Sequence, residues 1–119
     1  MRAQIRAGHV VACHDLSDGG LLAGVAEMAM AGGRGVSFDP LPARLPRHAF
    51  LFGEDQARYL VETAEPDILL SAARMAGVPA RVIGTVGGVA LTLPGVGAIS
   101  IDALKATNEA WLPDYMARV

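Results

Sequence analysis

The 119 residues are enough for one domain and too few for two of ordinary size. Hydrophobic residues make up 52% of the chain and aromatics only 5%, so a modest core must be built from Val, Leu, Ile, Ala and Met. A formal charge of −2 excludes the basic surface of a nucleic-acid binder, a lone Cys13 excludes a disulfide framework and suits a reducing cytoplasm, and no run nears the ~18 apolar residues of a membrane span.

The opening MRAQIRAGHVVACHD is an apolar run broken by His14 and Asp15, unlike a signal peptide. Val10 to Cys13 reads as a short buried strand, with Cys13 expected to be buried and inert. Ser17 or Asp18 is placed to cap a helix carrying Leu21, Leu22, Val25, Met28 and Ala29 at helical spacing, with Glu27 turned to solvent and Gly32-Gly33 as the stop. Gly35 to Asp39 alternates like a strand, and Pro40, Pro42 and Pro46 mark a loop. From Arg58 to Thr63 the pattern alternates again and predicts a strand. Pro66 suits the first turn of a helix running to about Met75, ended by Gly77 and Pro79. Arg81 to Val86 and Val89 to Leu93 read as a hairpin around Gly87-Gly88, and Gly97 to Ile101 as one more strand. Asp102 is placed to cap a last helix through about Ala110, followed by a short docked tail from Trp111 to Val119. The order predicts an α+β fold, a mixed and mostly antiparallel sheet covered by two or three helices.

Two polar stretches stand at the edges of predicted strands. The first is HDLSDGG, His14 to Gly20. A helix starting at Gly19-Gly20 offers free N–H groups and a positive dipole end, which suits phosphate. Asp15 and Asp18 repel a bare phosphate, so they either bridge to it through Mg²⁺ or serve as caps and braces for the turn; both readings stay open. His14 is either a base or a structural residue at a strand end. The second stretch is FGEDQAR, Phe52 to Arg58. Glu54 and Asp55 suit a metal or the hydroxyls of a ribose, Gln56 can donate and accept, and Arg58 can grip a phosphate or carboxylate in a fork. Taken alone this is an ordinary turn with an Arg–Asp pair. Two such clusters together point to a shared cleft formed by His14, Asp15, Ser17, Asp18, Gly19, Gly20, Gly53, Glu54, Asp55, Gln56 and Arg58. The remaining glycines (84, 87, 88, 95 and 97) form neither a P-loop nor a dinucleotide fingerprint and read as turn residues. One Cys and three scattered His make zinc a poor fit, and no Ser-His-Asp or Cys-His arrangement is evident, so no catalytic residue is assigned.

HDLSDGG together with LFGEDQARYLVE (Leu51 to Glu62), and GGRGVSFD (Gly32 to Asp39) between them, resembles the C-terminal module shared by aminoimidazole ribonucleotide synthetase, selenophosphate synthetase, thiamine-monophosphate kinase and their relatives. The wording is most similar to the formylglycinamidine ribonucleotide synthases of purine biosynthesis. The resemblance spans most of the chain. It implies one C-terminal-type domain, residues 1–119, of a longer ATP-dependent carbon–nitrogen ligase. That enzyme would use ATP with Mg²⁺, ammonia from a glutaminase subunit or domain, and a purine ribonucleotide substrate. Its N-terminal-type domains would carry most nucleotide contacts, and the setting would be the cytoplasm, with neither nucleic acid nor membrane as partner. The first copy of this module usually reads Gly-Glu-Ser-Gln where this chain has Gly53-Glu54-Asp55-Gln56. The added carboxylate beside a substrate phosphate, and a helix-like end with no following domain signal, fit the second, last copy, whose cleft borders an auxiliary nucleotide. On this reading the isolated chain has no ligase activity. Two rival expectations are a domain of a selenophosphate or thiamine-phosphate enzyme, against which the wording Asp-Leu-Ser-Asp-Gly-Gly argues, and a free-standing, non-catalytic ligand-binding or dimerisation module with a ferredoxin-like sheet.

Overall fold

A computed structural model describes residues 1–42 and 44–118; Ala43, in the proline-rich loop, and Val119, at the end of the expected tail, lie outside it. The chain runs α1 (Arg2–Arg6), β1 (Ala12–Asp15), α2 (Gly20–Gly32), β2 (Val36–Phe38), α3 (Arg47–Phe52), β3 (Tyr59–Glu62), α4 (Pro66–Met75), β4 (Gly84–Val86), β5 (Ala90–Leu93), β6 (Gly97–Ser100) and α5 (Ile101–Met116). This is an α+β fold, but its strands form two sheets where the sequence suggested one: an antiparallel ribbon β1–β3 and a four-stranded mixed sheet in the order β4-β2-β5-β6. No described helix is long and apolar enough to cross a membrane.

The core is aliphatic, with two phenylalanines, as the composition requires. Leu21, Val25 and Ala29 lie one turn apart on α2 and meet Phe50 and Leu51 of α3, Leu60 of β3, Phe38 of β2, Leu91 and Leu93 of β5, and Ile101 at the start of α5. Helix α2 is the hub, touching α3, α5 and the ribbon. Its expected course is observed, ending at Gly33 in the left-handed conformation (φ +63°). Helix α4 spans the predicted residues with Pro66 in its first turn. Helices α1 and α4 bury no residue, so among the described residues α2, α3 and α5 are the helices that enclose the core.

Several local expectations are corrected. The first strand begins at Ala12, two residues later than predicted, and Cys13 is exposed. In β1 the residues alternate sides, and Cys13 falls on the face that nothing covers. Residues 47–52, to which the sequence assigned no element, form the short helix α3. The Gly87-Gly88 hairpin is absent. Strand β2 lies between the two strands that were to pair, antiparallel to β4 (Val36 opposite Val86) and parallel to β5 (Val36 opposite Leu91). The Gly87-Gly88 link clasps the chain before β2. Gly35 N–H donates to the Gly88 carbonyl at 2.9 Å, and Gly87 N–H to the Gly35 carbonyl at 2.8 Å. The true hairpin is β5–β6, turned by Pro94-Gly95 with Gly95 at φ +69°. Helix α5 is capped by Ser100, whose Oγ accepts from Ala103 N–H at 3.1 Å, while Asp102 lies inside the first turn. The expected docked tail is instead the continuation of α5 through Pro113, exposed, with the Trp111 and Tyr115 rings stacked at 5.6 Å.

Candidate functional site

Antiparallel pairing of β1 and β3 sets Asp15 opposite Tyr59. The segment leaving β1 and the segment entering β3 therefore run side by side, and both polar motifs lie on them. Leu16 N–H donates to the Arg58 carbonyl at 2.9 Å, extending the ladder by one bond. Gly19 N–H donates to Glu54 Oε1 at 2.9 Å. At Gly20 the backbones nearly touch: a Cβ there would lie 2.7 Å from the Phe52 carbonyl carbon and 2.8 Å from the Gly53 oxygen. Gly20 has φ +66° and Gly19 φ +79°, both in the region that favours glycine. The Gly19-Gly20 pair thus has two structural reasons, a left-handed turn and a close crossing.

The helix cap differs from expectation. The N-cap of α2 is Gly19, which has no side chain to offer, and Ser17 and Asp18 are exposed and do not cap. The carboxylate beside the first turn comes from Glu54, 35 residues away in sequence. Sequence spacing is blind to such a partner, because a cap motif is searched for within a few residues of the helix start.

The second loop is tied to itself by Arg58. Its Nη1 donates to Asp55 Oδ2 at 3.1 Å and to the Gly53 carbonyl at 3.3 Å, while its backbone carbonyl holds Leu16. Asp55 and Gln56 lie at the loop's exposed tip, beside Ala57 at φ +62°. A non-glycine residue in that conformation persists where its surroundings fix the backbone. His14 is a tie as well. Its Nε2 sits 3.0 Å from Glu27 Oε2 on α2, and its Nδ1 faces the Asp15 carbonyl. Asp15 is exposed at the rim.

The eleven residues singled out from the sequence therefore fall into two groups. Gly19, Gly20, Gly53, Glu54 and Arg58 build the joint between the motifs, and His14 braces the ribbon on α2. Asp15, Ser17, Asp18, Asp55 and Gln56 are exposed around it. Two recesses lie elsewhere. One, of about 100 Å³, sits between α2, the ribbon and the mixed sheet, beside the Arg34–Glu62 ion pair of 3.1 Å. The other, of about 520 Å³, runs along the end of α4 and residues 78–82. Neither is lined by a residue of the joint; around the joint Asp15, Ser17, Asp18, Glu54, Asp55 and Gln56 are exposed, as an open rim. Among the described residues no group of three or more His, Cys, Asp or Glu could hold a metal ion. A Mg²⁺ here would take most of its ligands from phosphate, water or a neighbouring domain.

Known proteins resemble this chain in sequence and in fold. Phosphoribosylformylglycinamidine synthase subunit PurL of Methylocella silvestris is 57% identical over 119 residues, and that of Parvibaculum lavamentivorans 55% over 119 residues. Each match covers 98% of this chain and 16% of the relative, so the chain spans about a sixth of the length of these relatives. In fold it resembles Thermotoga maritima PurL complexed with FGAR, with a TM-score of 0.71 and 22% identity over 86% of this chain and 19% of that one. T. maritima PurL complexed with ATP gives the same TM-score and identity, over 86% of this chain and 20% of that one. The family described as AIR synthase related protein, C-terminal domain, matches residues 1–93, from α1 to the end of β5. With most of its length matched in this way, the chain belongs to the family of AIR synthase related proteins, as their C-terminal domain.

Proposed function

We propose that this chain is one C-terminal-type domain of a phosphoribosylformylglycinamidine synthase, and that it forms one wall of a nucleotide cleft at the joint of its two polar motifs. The observation that carries the reading is that joint. The two segments that resemble the synthases, separated by more than thirty residues, are fastened to each other by the 2.9 Å bond from Gly19 to Glu54. The identity of 57% and 55% to two synthase subunits, over 98% of this chain, supports the same reading.

In the whole enzyme, formylglycinamide ribonucleotide, ATP and glutamine-derived ammonia become formylglycinamidine ribonucleotide, ADP and phosphate. ATP, with Mg²⁺, supplies the phosphoryl group that activates the amide oxygen, and ammonia displaces it. This chain's own residues hold and orient. Arg58 is spent on Asp55 and the Gly53 carbonyl, which fixes the loop, and leaves the exposed Gln56 amide and Asp15 and Asp18 carboxylates as the groups that meet a ligand. A carboxylate rim accepts from ribose hydroxyls and amide N–H groups, and meets phosphate only through a cation. The N-terminal-type domains of the same cytoplasmic synthase complete the cleft, and a glutaminase subunit or domain delivers ammonia. Asp55 in place of the usual serine makes the cleft that of the second copy, where the nucleotide is auxiliary.

No residue of the chain is assigned a proton-transfer or nucleophilic role, so the 119 residues alone should not turn over. The check is an assay of this chain with ATP, formylglycinamide ribonucleotide and ammonium chloride, followed by ADP release. The expected rate is background, and a rate near that of an intact synthase would overturn the assignment.

A further inference from the structure

We infer that Glu54 is a positioning residue, which holds the Gly53–Arg58 loop on the start of α2 so that Asp55 and Gln56 are presented at its tip. Four observations converge on it. Helix α2 has no side-chain cap of its own, and its N-cap Gly19 donates to Glu54 Oε1 at 2.9 Å. The carboxylate thus lies at the positive end of a thirteen-residue helix, where negative charge is stabilised. The flanking backbone is fixed at both ends of the loop, by the close crossing of Gly20 on Phe52 and Gly53 and by Leu16 N–H on the Arg58 carbonyl. Arg58 then ties Asp55 to the Gly53 carbonyl from within. Both adjacent acids are exposed, but one is held by the backbone N–H of Gly19 and the other by the Arg58 guanidinium, so they are not equivalent: Glu54 is tied to the helix start, and Asp55 to its own loop beside Gln56.

This inference rests on the cleft reading above for its functional part and is independent of it for its structural part, and the test separates the two. Amide hydrogen exchange is followed in this chain for the wild type, Glu54→Gln and Glu54→Ala. The Gly19 amide and residues 53–58 are expected to exchange faster in both variants, on the order of tenfold in Glu54→Ala, while the β4-β2-β5 amides keep their protection. Glu54→Gln, which keeps an acceptor and loses the charge, is expected between wild type and Glu54→Ala. An unchanged Gly19 rate in Glu54→Ala overturns the inference. In the synthase polypeptide carrying this segment, Glu54→Ala and Gln56→Ala are then compared. Both are expected to weaken nucleotide binding at this cleft about fivefold, read as the Kd for ATP at the auxiliary site by equilibrium binding, with kcat within about twofold. If Gln56→Ala raises that Kd and Glu54→Ala does not, Glu54 does not position the loop and the cleft reading stands. If neither raises it while Gly19 exchange responds as expected, the cleft reading falls and takes the functional part of the inference with it.

Discussion

A Cβ on Gly20 would stand 2.7 Å from the Phe52 carbonyl carbon, and its φ of +66° would strain any L side chain. Backbone cannot give way as a flexible side chain can, so Gly20→Ala should cost about 2 kcal/mol or more, read as a lower urea midpoint with an unchanged slope. At the other end of the chain, Ser100 and Asp102 are both residue types that cap helices, and the sequence offers no reason to prefer the first. The structure does: the Ser100 hydroxyl accepts from Ala103. Ser100→Ala should therefore lower stability by about 1 kcal/mol, and Asp102→Ala, an exposed substitution, by less than about 0.5 kcal/mol. Thermal melts of the two variants decide between the caps. The same ambiguity explains Ser17 and Asp18. Both suit a cap, yet the anion that serves α2 comes from Glu54, in a loop whose proximity depends on the pairing of β1 with β3.

Elements were legible where the signal is local. Helix α4 is bounded by Pro66 at its start and Gly77 beyond its end, and α2 by its apolar stripe and the glycines that follow. Helix α3 has only six residues, too few for a periodicity to show, and follows a run of prolines that reads as loop. Helix α5 continues past Pro113, where a proline within a helical pattern usually signals the end. The hairpin failed for a different reason. Gly87-Gly88 between two apolar runs is a sound local signal, but a strand from fifty residues earlier fills the gap. The position that makes room is Gly35, where a Cβ would meet Ala90 N at 2.6 Å and the Gly87 oxygen at 2.7 Å. Gly35→Val is expected to open the clasp. Amide exchange should rise at Gly35 and Gly87 in particular, with a loss of more than about 2 kcal/mol in global stability.

On the scale of the molecule, the joint between the two motifs follows from one register. Once Ala12 is opposite Glu62 and Asp15 opposite Tyr59, the residues just past the ends of β1 and β3 have to meet. The residue types of both motifs were plain in the sequence. Their division into fasteners and exposed groups was not, because it depends on which carboxylate reaches Gly19 and which reaches Arg58. The α+β class was legible and the split into two sheets was not, since strand order depends on contacts between residues far apart in the chain. The central place of β2 also bears on how the molecule is made. Synthesis from the N-terminus delivers α2, α3 and the β1–β3 ribbon early, and these can close around Leu21, Val25, Leu51 and Leu60 by themselves. Val36 to Phe38 emerges with them but has no flanking strand until residues 84–93 leave the ribosome, so its backbone N–H and C=O groups have no ladder partner through that interval. Nascent chains halted short of Gly84 would thus present an unpaired strand edge to chaperones, and the mixed sheet would be the late, rate-limiting half of folding.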